Sequence, residues 1–184
     1  MALSGYQASP YRYVAVGGDG TCAAAAPYCV PEHVPDLRVR SAASVRLRRA
    51  LGAHASLGAD YRYYLDSWGL RSQTLEPSLA WLPSEATTVT VHYRYYAQGD
   101  ASFYRPRYFG FGDGAGYLTR DRKLSAFFAH EVGAAINRTW EFDDGERHLD
   151  LGLRASLSQL TYLAYVGLDT VDALELTSML GLDF

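Results

Sequence analysis

Lysine is almost missing from this chain: Lys123 is the single one, and the other basic residues are all arginine. A GC-rich genome accounts for such a bias, and rigid guanidinium forks also suit a crowded, half-dry interior. Long apolar runs are missing too. No stretch approaches the roughly 18 apolar residues that a membrane helix needs. Met1 to Tyr13 has neither the basic start nor the apolar middle of a signal peptide. A basic excess is absent, since the formal net charge is −3, and this argues against a nucleic-acid binder. Cysteine is scarce: Cys22 and Cys29 are the whole complement, and their spacing fits neither a CxxC redox motif nor a zinc site. His33, His54 and His148 are isolated, so no metal-ligand spacing appears.

Tyrosine is abundant, with 15 residues in a chain of 184. Its ring is oily and its tip polar, so it favours boundaries between apolar and wet surroundings. The length fits one domain, with 1–37 an outer loop and partial strand and 38–184 seven antiparallel strands.

The strongest pattern is an in-out alternation repeated about seven times. In the last stretch Leu174, Leu176, Leu180, Leu182 and Phe184 share one face, and Glu175, Thr177, Gly181 and Asp183 share the other. Strand side chains alternate with period two, so such a segment builds a sheet with one oily and one wet face. Earlier strands are expected over Arg38 to Ala50, His54 to Asp66, Leu70 to Leu82, Thr87 to Gln98, Lys123 to Trp140 and His148 to Tyr162. These runs exceed the roughly 5–6 residues of ordinary strands and match the roughly 9–11 that cross a bilayer at a tilt.

The connections alternate in length as membrane barrels require. Short turns are expected at Leu51-Gly52, Pro83-Ser84-Glu85 and Asp143-Asp144-Gly145. Long connections are expected before Arg38 and from Asp100 to Arg122, with Tyr162 to Thr170 intermediate; Ser67-Trp68-Gly69 is short and breaks the rule. Tyr61, Tyr63, Tyr64, Tyr93, Tyr95 and Tyr96 fall at one predicted boundary, and Trp81, Trp140 and Phe184 at the other. Two such girdles match the two interfaces of a bilayer. His130, on the apolar face, and Pro77, inside a strand, depart from the pattern, and either marks an expected bulge.

The stretch DYRYYLDSWGLRSQTLE followed by HYRYYAQGDASFYRP resembles a family of bacterial outer-membrane barrels without an established activity. The pieces that carry the resemblance are the two Tyr-Arg-Tyr-Tyr strands (Tyr61 to Tyr64, Tyr93 to Tyr96), Asp66, Trp68 and Gly69, then Ser72, Thr74 and Glu76, then Ala101, Phe103 and Tyr104. KLSAFFAH (Lys123 to His130) and SPYRYVAV (Ser9 to Val16) are similar to a further strand and an outer loop of that family. The resemblance implies location and architecture only. Family members are usually longer, with a signal peptide and strands upstream, so this chain is expected to be the C-terminal part of a larger barrel.

Chemistry-bearing residues gather on the wet face. Folding about Trp68 sets Asp60 opposite Glu76, and folding about Ser84 sets Glu76 opposite His92, with Arg94 one step on and Arg62 beside Asp60. Asp60, Arg62, Glu76, His92 and Arg94 thus form an expected lumen charge cluster, read as a space-filling ion-pair network or a filter for charged solutes. A Glu-His pair without a placed nucleophile is half a mechanism, and Ser125 and His130 point to opposite faces of a regular strand, so no catalytic residues are assigned. Cys22 and Cys29 lie in an outer loop, where export favours a disulfide. GFGDGAG (Gly110 to Gly116) lacks the spacing and context of a phosphate loop.

The expectation is an all-β, antiparallel up-and-down transmembrane barrel of about seven or eight long strands, the eighth supplied by the N-terminal segment. It is expected in a bacterial outer membrane, with lipid and small solutes as partners, no nucleic acid and no cofactor, in a porin-like or structural role. A soluble lipocalin-like barrel for a small apolar ligand and an outer-membrane hydrolase are the alternatives.

Overall fold

The computed structural model describes residues 13–17, 22, 28–110, 116–142 and 147–183. Two short strands, β1 (Tyr13–Val16) and β2 (Tyr28–Pro31), pair with each other in a small separate sheet. Seven long strands follow: β3 (Arg40–Ala50), β4 (Ala55–Asp66), β5 (Arg71–Ser84), β6 (Thr87–Gln98), β7 (Phe127–Phe142), β8 (Arg147–Tyr162) and β9 (Thr170–Asp183). Each pairs antiparallel with the next in chain order, an up-and-down meander. β3 has 11 residues and β7 has 16. The sheet is open, with β3 and β9 as its edges among the described residues.

Period-two alternation sorts the residues as the sequence implies, but the apolar face stands exposed instead of covering a core, and on the edge strands β3 and β9 both faces are largely exposed. On β4, Leu57, Tyr61, Tyr63 and Leu65 are exposed, whereas Gly58 and Asp66 on the other face are buried. On β9, Leu176 and Leu180 are 71% and 70% exposed. The buried apolar residues lie elsewhere, at one end of the sheet. One cluster joins Val34, Trp68, Leu70, Ala101, Phe103, Tyr104 and Leu124. A second joins Val14, Val16, Tyr108 and Leu118. Backbone bridges from Val16 to Tyr108 and from His33 to Leu118 tie β1, β2 and the 99–126 connection into this cap.

The connections at the capped end are 67–70, 99–126 and 163–169; at the opposite end 51–54 and 85–86 are short. The expected turn at Asp143 to Gly145 and the terminal Phe184 lie outside the described residues. The short connection at Trp68, an exception to the length rule, is the one that anchors the cap core.

Several expectations need correction. Lys123 and Leu124 belong to a single 3-10 turn, Arg122–Leu124, rather than to β7. Leu124 is 1% exposed and Ser125 fully buried, so cap packing takes them out of the strand. His130 is consequently near the capped end of β7, not mid-strand. There it stacks on Tyr93 and shares a 2.6 Å hydrogen bond with its hydroxyl. Pro77 does not shift the register: Leu75 faces Tyr95 and Ser78 faces His92, one continuous alignment, and the irregularity falls at Trp81–Ser84, where Pro83 sits. The N-terminal segment supplies no eighth strand among the described residues, because β1 and β2 form a sheet of their own and neither joins the seven-stranded sheet.

Candidate functional site

One band of charges crosses the polar face from β3 to β7. Arg46 faces Asp60, Asp60 faces Glu76, and Arg94 faces Glu131. The expected pairing of Glu76 with His92 does not occur. β5 runs on to Ser84 and turns at 85–86, which moves the register by two residues and leaves His92 opposite Ser78. Glu76 instead approaches Arg94, with Arg94 Nε 3.9 Å from Glu76 Oε2. His92 leans diagonally to Glu131, Nε2 to Oε1 at 3.3 Å. Asp60 is held by Arg48 through two hydrogen bonds of 2.6 and 2.8 Å.

Glycines make these diagonal contacts possible. A Cβ on Gly58 would meet Ser78 Oγ at 2.5 Å and Arg48 Nη1 at 3.0 Å. A Cβ on Gly133 would run into the His92 ring. Arg48 and His92 therefore lie flat across the neighbouring strand, and the polar face is crowded. Arg48 and Glu131 were missed by sequence reasoning because direct cross-strand pairing does not capture diagonal reach, although glycine inside a strand is a signal for such an approach.

Between this band and the cap sits a hinge built on Asp66. Its Oδ2 accepts from Arg38 Nε at 2.7 Å and from Tyr64 Oη at 2.9 Å, and its Oδ1 accepts from the backbone N–H of Trp68 and Leu70. The Arg38 guanidinium lies 4.6 Å over the Trp68 ring, and the indole N–H donates to Leu37 O at 2.9 Å. Gly69 takes φ +85°, and a Cβ there would meet Ser102 Cβ at 3.2 Å, a turn that favours glycine. This is the physical content of the Asp-x-Trp-Gly motif: the carboxylate closes the turn and the indole plugs the cap.

Gln98 is the second tie. It accepts from Tyr96 Oη at 2.6 Å and donates to Lys123 O at 3.0 Å and Ser125 O at 2.7 Å. Farther into the cap, the Tyr108 hydroxyl donates to Phe103 O and accepts from Thr119 N, and Thr119 Oγ1 donates to the Glu32 carboxylate. Burial raises the Tyr108 hydroxyl above its usual range and pushes Tyr104 up to about 12. Cys22 and Cys29 are joined in a disulfide, Cα to Cα 5.8 Å.

Ser125 donates to Arg122 O inside the cap, while His130 engages Tyr93 on the apolar face, so the two do not form a pair. Among the described residues no three His, Cys, Asp or Glu side chains gather to hold a metal. Arg62 lies beside Arg94, Lys123 and Arg38 along a groove under the cap.

The sequence profile described as "Protein of unknown function (DUF3570)" matches residues 1–154. The chain belongs to the DUF3570 family. The matched part takes in the cap, the Asp66 hinge and strands β3 to β7. No curated protein and no solved structure matches the chain. The DUF3570 description assigns no activity, so the function is argued from the faces of the sheet and the cap.

Proposed function

We propose that this DUF3570 chain forms a wall of a bacterial outer-membrane β-barrel, with its apolar face against lipid and its charged face toward the lumen. Its role is passive, porin-like or structural, and no catalysis is assigned to it. The observation that carries the reading is the exposed apolar face. Large apolar side chains stand exposed across the seven strands, Leu57, Leu75, Val91, Ile136, Leu153 and Leu176 among them, while the compact core is confined to one end. An apolar surface of that extent is unusual on a water-soluble monomer and marks a membrane or partner surface.

Three further features support it. Every strand of the sheet is long enough to cross a bilayer at a tilt. Tyr61, Tyr63, Tyr93 and Tyr95 lie near the capped end of the apolar face, and Trp81 and Trp140 near the other, where Arg138 stacks 5.0 Å from the Trp140 ring. The crowding over Gly58 and Gly133 falls on the polar face, which suits an enclosed interior. A lipocalin-like binder needs the opposite arrangement, apolar side chains crowded inward.

The test is migration on a denaturing gel after refolding in detergent. A folded barrel migrates differently before and after boiling. Identical migration in both lanes would remove the proposal.

A further inference from the structure

Under the cap, the polar face carries a groove that the charged band does not explain. Among the described residues four cations line it, Arg38, Arg62, Arg94 and Lys123. Among the described residues no carboxylate lines it, and Ser72 and Thr74 add hydroxyl-bearing side chains to the lining. The charges are not equally engaged. Arg38 is committed to Asp66 at 2.6 Å, and Arg94 leans toward Glu76 at 3.9 Å. Arg62 and Lys123 have no carboxylate within ion-pair distance among the described residues.

We infer that this groove binds a small oxyanion of the phosphate class, with Arg62 and Lys123 supplying the uncompensated charge. Arginine presents a planar fork of donors that matches phosphate oxygens, and lysine adds a compact point charge. The groove holds about 270 Å³, below the roughly 300–1,000 Å³ of sites for drug-sized ligands, so it suits a small ion. The chain's single lysine is also fixed at the rim. Its backbone N–H donates to Asp121 Oδ1 at 3.0 Å and its carbonyl accepts from Gln98, which Tyr96 holds in turn.

The inference deepens the barrel reading, since it places an anion station where the lumen meets the cap. Its test does not depend on that reading. The full chain, refolded in detergent, is titrated with inorganic phosphate by calorimetry, with ionic strength held constant by chloride. Saturable binding at one site is expected. Arg62→Gln weakens it at least about tenfold, the worth of a charge-assisted hydrogen bond. Lys123→Gln, in an exposed turn outside the sheet, weakens it severalfold without a folding risk, and Arg138→Gln on the opposite face leaves it unchanged. Absence of saturable binding, unchanged affinity in both groove variants, or equal competition by chloride would overturn the inference. Heat-modifiable migration without phosphate binding refutes the anion site alone. Phosphate binding by a chain that is not heat-modifiable leaves the site and refutes the wall.

Discussion

Replacing Asp66 by alanine should uncouple the cap from the sheet. The Asp66 side chain is fully buried, and Arg38, its ion-pair partner, is 11% exposed. The carboxylate accepts from Arg38, Tyr64 and two backbone N–H groups. Removing one partner of a buried pair costs about 3–5 kcal/mol, because the other charge stays behind uncompensated. The two freed N–H groups act in the same direction, but such terms do not add at one site. At 1.36 kcal/mol per decade, the loss is about two to four decades in the opening equilibrium of the cap. Amide hydrogen exchange in detergent micelles reads that opening locally. The 99–126 connection and the β1–β2 pair should exchange faster by that factor, while the strand amides of β7 and β8 keep their protection. Arg38→Ala combined with Asp66→Ala should cost less than the sum of the two. A change below about tenfold, or equal acceleration throughout the sheet, would refute the assignment of Asp66 as the hinge.

Other outcomes follow from the same geometry. Gly133→Ala drives a methyl group into the His92 ring and should cost about 1–3 kcal/mol in chemical denaturation; Gly99→Ala, with nothing within 4 Å of the added carbon, should stay within about 0.5 kcal/mol. Cys22→Ser should loosen the cap by about 2–3 kcal/mol and leave the sheet intact, read as protease sensitivity restricted to the N-terminal part. The cap should also open in alkali. Tyr104 rises from 10.0 to about 12 on folding, and Tyr108 rises as well. From pH 10 upward the unfolded chain releases protons that the folded cap retains. Stability that is complete below pH 10 is therefore lost as pH climbs through about 12. Tyrosinate absorbance should show the Tyr104 hydroxyl titrating above its ordinary value, together with cap opening; its titration near 10 with the cap still closed would contradict this.

Much of the sheet was legible in the sequence because alternation is a local signal. Thr87–Gln98 appears with the bounds read from the sequence, and the other strands lie within a few residues of theirs. The start of β7 was misplaced because Leu124 keeps the strand parity by chance while packing in the cap. The cap itself was illegible: its core joins Val34, Trp68, Phe103 and Leu124 from connections far apart in the chain, and no period links them. The charge band was half legible. Asp60 opposite Glu76 follows from the tight Trp68 turn, whereas His92 was displaced because β5 continues past Pro83 to Ser84. Lys123 and Gln98 were missed as groove residues, since their meeting depends on the fold of the 99–126 connection.

The central claim is that lipid hydrocarbon covers the leucine-and-tyrosine face. Variants that keep one tryptophan each, reconstituted into vesicles of lipids brominated at graded acyl depths, test it directly. Trp81, 52% exposed on that face, and Trp140, on the same face two strands away, should be quenched, while Trp68, 2% exposed within the cap, should not. Bromine-insensitive emission from both Trp81 and Trp140, in chains whose circular dichroism shows a folded sheet, would contradict the account.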